Sequence, residues 1–239
     1  MAKNLTGQLL QEPEGVPASM RPDDEAPQEE KRRERRPPLL AVSLVRKETN
    51  VDSSISVEEM CNRIYRGVLM NDDKLKFWVD EDLEKNCFLL LAKGLFIAGV
   101  DGTENWGWTN EKEQCFSSEV EIPVAELLDI CWLEFSGKFK TIKLSPKTTY
   151  EVAFVVKMRD NGSGLHGPVN LTLTLPDGTT QGRIDNMEET PKGEWRDIPV
   201  GTFMTTPQNV GEISFSYCQV SGHWKSGLIV KGAVLRPKD

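Results

Sequence analysis

Tyr150, Val152, Phe154, Val156 and Met158 alternate with Glu151, Ala153, Val155 and Lys157, and Val169, Leu171, Leu173 and Leu175 alternate with Asn170, Thr172 and Thr174. A period of two puts each set on one face of a strand, so both segments predict strands with one face toward a core. Shorter strands are expected at Cys87–Ala92, Leu95–Ala98, Cys131–Phe135, Trp195–Ile198, Ile213–Val220 and Gly227–Leu235. Turn signals such as Asp160-Asn161-Gly162 and Pro176-Asp177-Gly178 separate them. Helical spacing is clear in one place. Val57, Met60, Cys61, Ile64, Tyr65 and Val68 follow the capping box Ser56-Val57-Glu58-Glu59, which predicts an amphipathic helix over about Val57 to Met70. Many short strands with one helix mean an all-β fold, an antiparallel β-sandwich of jelly-roll-like type. No internal repeat of fixed period is found, so a propeller is not supported.

The 239 residues suit one well-cored domain with an appendage, and the formal net charge of −8 offers no field for a nucleic-acid backbone or an anionic membrane. Residues 1–38 hold six of the fourteen prolines and no aromatic side chain, so this tail cannot bury enough apolar surface to offset chain entropy and is expected to be disordered. Its run Lys31-Arg32-Arg33-Glu34-Arg35-Arg36 is a nuclear address, a contact for an anionic surface, or simply a solvated charge run. Residues 39–75 then form a linker and the helix, and 76–239 the sandwich. Cys61, Cys87, Cys115, Cys131 and Cys218 are odd in number and form no C-x-x-C pair, which signals neither a disulfide framework nor a zinc cluster. With no signal peptide and no span of about 18 apolar residues, a cytoplasmic protein without membrane insertion is expected.

An enzyme is not expected. His166 and His223 are the two histidines, and no nucleophile elbow, metal-binding helix or phosphate loop is present, so neither metal nor cofactor is implied. The Gly-rich run Asn161-Gly162-Ser163-Gly164-Leu165-His166-Gly167 reads as a hairpin loop between strands. Asn105-Trp106-Gly107-Trp108 carries more. Two tryptophans at i and i+2 on a strand project from one face, and their indoles either fill a core or offer the flat apolar surface that suits the C–H face of a pyranose. The polar, Gly-bearing run Gly99 to Glu104 before them places at least one ring near a surface. Trp224, in His223-Trp224-Lys225-Ser226-Gly227, is either a second platform or a corner plug, whereas Trp78, Trp132 and Trp195 read as core.

Four strings resemble the phloem protein 2 (Nictaba-like) lectins of plants in order and spacing. They are Cys87-Phe88-Leu89-Leu90-Leu91-Ala92-Lys93-Gly94-Leu95-Phe96-Ile97, then Trp106-Gly107-Trp108, then Val124 to Glu134, and Trp224-Lys225-Ser226-Gly227-Leu228-Ile229-Val230-Lys231-Gly232. The resemblance covers about residues 76–237. It implies a β-sandwich, often dimeric, that binds N-acetylglucosamine oligomers or N-glycan cores in the cytosol, nucleus or phloem sap. Trp106, Trp108, Trp224 and Lys225 are the carbohydrate contacts it implies, with Trp106 as first platform. The helix and Lys76-Phe77-Trp78-Val79-Asp80 resemble the extension of phloem members, and no F-box is visible. Two positions depart from the pattern: Gly99 stands where the family usually has a Trp, and Gln219 where an acidic residue is common. The alternative is a non-enzymatic phloem scaffold that binds protein or ribonucleoprotein cargo, with sugar binding weakened or lost.

Overall fold

The computed structural model describes residues 36–49, 54–116, 118–187 and 191–238. The expected tail and most of its basic run lie outside the described residues. Two helices, α1 (Leu39–Thr49) and α2 (Val57–Arg66), precede strands β1 (Val68–Met70), β2 (Leu75–Val79), β3 (Asn86–Leu91), β4 (Phe96–Ile97), β5 (Trp106–Gln114) and β6 (Glu119–Leu127). There follow β7 (Ile130–Lys140), β8 (Thr149–Ser163), β9 (Pro168–Thr174), β10 (Thr180–Asn186), β11 (Trp195–Met204) and the long β12 (Glu212–Pro237).

The strands pair antiparallel in two layers that share β12. Its N-terminal half lies between β7 and β9, with β4 beyond β7 and β10 beyond β9. Its C-terminal half lies beside β8, which carries β11 on its far side. The other edge of that half takes β3, followed by β2 and β1. The run expected as two strands, Ile213–Val220 and Gly227–Leu235, is thus one strand that pairs in the second sheet to Val220 and, after a register break, once more at Lys225, then enters the first sheet at Ser226. The all-β sandwich follows from this crossing.

Between the layers lies the core. Phe88, Val152, Phe154 and Val156 of the first sheet meet Leu133, Phe135, Leu171, Phe215 and Tyr217 of the second. Phe135 stacks on Tyr217 at 4.4 Å between centroids, and Phe154 presents its edge to Phe135 at 4.9 Å. Each such pair adds about 0.5–1.5 kcal/mol beyond area burial; the Phe135–Tyr217 pair joins neighbouring strands of the second sheet, and Phe154 ties the first sheet to both rings. Met60 and Ile64 of α2, with Ala41 and Val45 of α1, extend the same core. Ser56 caps α2 by accepting from the Glu59 amide at 3.1 Å. The helix stops earlier than its spacing predicts, because Gly67 takes φ +93° and the chain turns into β1.

The β5–β6 hairpin does something the sequence did not suggest. β6 pairs with β12 only at Ile229 and Val230, then peels away across the outer face of the first sheet. Its tip reaches the start of β1, where the Phe116 amide donates to Gly67 O at 2.9 Å. Ile122 and Val124 lie with Leu89, Leu91, Ile229 and Val234 in a second buried cluster under it. The opposite strand supplies charge. Glu113 accepts from Lys76 at 2.6 Å and pairs with Lys231, and Glu111 pairs with Lys157. Trp78 and Trp195, expected in the core, sit half-buried on this outer face, with Lys76 over Trp78 and both Lys157 and Lys231 over Trp195.

Burial by itself raises the Glu113 pKa, but hydrogen bonds from Lys231 and Lys76 outweigh it and hold the carboxyl below its ordinary value. A folded-state pKa below the unfolded one contributes stability that is present above the unfolded pKa, about 4.3, and fades as the pH falls through the folded value. Glu113→Gln should therefore cost about 1–3 kcal/mol at neutral pH. Its deficit against the wild type, followed as thermal midpoint from pH 7 to pH 3, should shrink below about pH 4. A deficit independent of pH over that range would show that the carboxylate charge is not what fastens the hairpin.

The Tyr217 hydroxyl is buried with no hydrogen-bond partner among the described residues. Tyr217→Phe keeps the stack on Phe135 and removes an unsatisfied polar atom, so stability should hold or rise by about 1 kcal/mol in a urea titration. A clear loss would mean that the hydroxyl has a partner.

Candidate functional site

Four segments meet at one end of the sandwich: the Ala98–Asn105 loop, the Leu128–Asp129 turn, residues 160–167 at the end of β8 and beyond it, and residues 221–225 inside β12. The first two are joined by Asn105, whose carbonyl accepts from the Leu128 amide at 2.9 Å. The Gly-rich run expected as a hairpin loop instead carries the chain from the first sheet to the second, since β8 and β9 each pair with β12 and not with each other. It touches residues 221–225 closely. A Cβ on Gly164, which has φ +77°, would lie 1.8 Å from the Trp224 carbonyl oxygen, so only glycine permits the approach.

Two buried side chains hold these loops. The Lys225 ammonium is fully buried and donates to the carbonyls of Cys131, Ser221 and His223. Burial pulls its pKa below the ordinary lysine value, and the acceptors are carbonyl dipoles, not carboxylates. Gln219, also buried, turns its amide nitrogen toward the carbonyls of Leu165, His166 and Gly167 at 3.4, 3.3 and 3.3 Å. Both residues organise the loop backbone from beneath.

What stands outside is apolar and aromatic. Trp224 is 64% exposed and Trp132 70%, and Trp132 lies directly across from exposed Val220 on the outer face of the second sheet. His166 and His223, both exposed, bring their ring centroids to 4.8 Å. Trp108, 44% exposed, lies on β5 opposite Ala125.

Several expectations change here. Trp106 is not an open platform: it is 3% exposed, packs in the main core, and donates its indole N–H to Ala98 O at 3.0 Å. The polar loop before it folds back over the ring instead of exposing it. Lys225 cannot reach a ligand, because its three donors are spent on backbone carbonyls below the surface. Trp132 is outside the core, which the alternation of Leu133 and Phe135 would have revealed, since both point inward and Trp132 is out of phase with them. Gly99 is not a vacated side-chain site either. It has φ +77°, and an added Cβ would lie 3.1 Å from Asn105 Nδ2, so a Trp there would strain the loop. Trp108 and Trp224 are accessible. The histidine pair and Val220 had no sequence signal, because each depends on two segments that only the fold brings together.

The family model for phloem protein 2 matches residues 85–237. The chain belongs to the phloem protein 2 family. Within that family it is 40% identical over 190 residues to Protein PHLOEM PROTEIN 2-LIKE A1 of Arabidopsis thaliana, an alignment covering 78% of this chain and 76% of that one. It is 35% identical over 193 residues to a protein of Luffa acutangula named Lectin, covering 80% and 90% of the two chains. The phloem protein 2 match runs from the approach to β3 through β12, and so includes the second sheet, the first sheet apart from β1 and β2, and all four loop-end connections.

Removing a core Trp side chain costs about 3–5 kcal/mol. Trp106→Ala should lower stability by that amount in chemical denaturation, with Trp224→Ala within about 0.5 kcal/mol of the wild type. Equal, small effects would return Trp106 to the surface.

Proposed function

We propose that the chain is a lectin that acts by binding alone and recognises N-acetylglucosamine oligomers or N-glycan cores at the loop end of the sandwich. The observation that carries this reading is Trp224, an exposed indole whose backbone is fixed from below by Lys225 and from the side by Gly164. A ring carried on a fixed backbone costs less entropy to order on binding than one on a mobile loop, and its flat face suits the axial C–H groups of a pyranose. Trp108 is the second stacking surface, and Trp132, opposite Val220, adds a third exposed ring that the sequence pattern had assigned to the core. The relative named Lectin supports sugar binding at the level of the family.

A second reading has one observation in its favour. Trp106 is buried and Gly99 has no side chain, so the paired platform implied by the family pattern is absent from the Gly99–Trp106 loop. A non-enzymatic scaffold for protein or ribonucleoprotein cargo would need no such platform. Removal of residues 1–38 separates the readings better than a longer truncation, because α1, α2 and β1 contribute Ala41, Ile64 and Met70 to the main core.

Calorimetry with the N-acetylglucosamine trimer tests the lectin. Binding is expected, and Trp224→Ala and Trp108→Ala should each weaken it by at least about five-fold, the value of one stacking contact near 1 kcal/mol. The truncated chain should bind as the full one does. No heat at millimolar trimer would overturn the reading, and loss of a captured cargo on truncation would favour the scaffold.

A further inference from the structure

The two histidines of the chain come from different loops yet face each other, their centroids 4.8 Å apart and their planes inclined at 46°. Neither position is left to chance. The carbonyl of His166 is held by the buried Gln219 amide, and that of His223 by the buried Lys225 ammonium at 2.8 Å. The two loops are locked together by the contact of Gly164 with the Trp224 carbonyl and by the Ser163 and Ser226 hydroxyls at 3.2 Å. Both residues are exposed, so the pair can be reached from solvent.

A zinc–nitrogen bond of about 2.0–2.1 Å, with about 1.1 Å more from ring nitrogen to ring centre, sets each centroid about 3.2 Å from a shared ion. Two imidazoles at a tetrahedral angle on that ion then have centroids about 5 Å apart, and at a right angle about 4.5 Å. The observed 4.8 Å falls between these limits. We propose that His166 and His223 form a binding site for a borderline divalent transition metal, Zn²⁺, Ni²⁺ or Cu²⁺, held by two imidazole nitrogens with water completing the shell. Imidazole selects these ions over Ca²⁺ and Mg²⁺, which take oxygen ligands. No group of three or more His, Cys, Asp or Glu converges among the described residues, so the site is open and exchangeable, not a closed structural one. An ion there links the β8–β9 connection to the loop that bears Trp224, and it does so whether or not the protein binds sugar.

The test is a titration of the full, untagged chain with Zn²⁺, followed by calorimetry and by the imidazole C–H signals of a proton spectrum, where two histidines give two resolvable sets. One ion should bind per chain, and both sets should move together with the same midpoint. His166→Ala and His223→Ala should each weaken binding by at least about ten-fold while leaving the metal-free thermal midpoint unchanged. Binding that survives either substitution, as it would at the five thiols, overturns the site. Movement of one histidine alone, or no binding at millimolar Zn²⁺, overturns it as well.

Discussion

A buried ammonium with three carbonyl oxygens around it sits where β12 leaves one sheet for the other. A strand that changes sheets must interrupt its ladder, and the interruption leaves part-buried carbonyls without ladder partners. Such groups are costly unless a donor is supplied. Lys225 supplies three donors from one atom, enough for Cys131 on β7 and for Ser221 and His223 within the bulge. The planar fork of an arginine would not converge on the same point. Desolvation penalises this charge, as its lowered pKa shows, and the directed carbonyl dipoles offset part of that cost. With the crossing fixed, the first half of β12 is committed to Leu171 and Phe135 and the second to Val152 and Phe154, which closes the main core.

The two outer faces of the sandwich follow from the crossing and differ in character. On the first sheet, the β5–β6 hairpin lies across β12 and β3, and a lattice of Lys76, Glu113 and Lys231 fastens its rim. Both tryptophans of that face have cations over their rings, which occupies the surface a sugar would use. On the second sheet nothing comparable among the described residues covers Trp132 and Val220. Exposed aromatic surface therefore concentrates toward the loop end and the second sheet.

Those features whose cause is local were legible in the sequence. The alternation from Tyr150 to Met158 defines β8 because every second residue meets the same core, and Ser56 reads as a helix cap because its partner amide is three residues away. Features that depend on distant pairing were not. β5 has Glu111 and Glu113 on its inward face, where an apolar alternation would be sought, because lysines from β2, β8 and β12 receive them. Trp106 and Trp132 exchanged roles for a related reason. A polar loop before Trp106 suggested exposure, yet that loop supplies Ala98 O, the acceptor that lets the indole N–H be buried. An apolar string around Trp132 suggested burial, although phase against Leu133 and Phe135 sets it outward.

The two departures from the family pattern are parts of one local solution. Gln219 sends a single amide nitrogen toward three carbonyls of the 165–167 loop. A carboxylate in its place would confront the same three oxygens without a proton to give, and the loop would have to lie elsewhere. Gly99 permits a left-handed turn close to Asn105, whose carbonyl in turn receives Leu128 beside β7. Glycine and glutamine at these positions therefore fit loops drawn in against the sandwich, with the 165–167 carbonyls facing the buried Gln219 amide nitrogen and their aromatic residues divided between core and surface. The exposed aromatic surface at this end then rests less on the Gly99–Trp106 loop, whose indole is buried, than on the bulge of β12, whose backbone Lys225 holds.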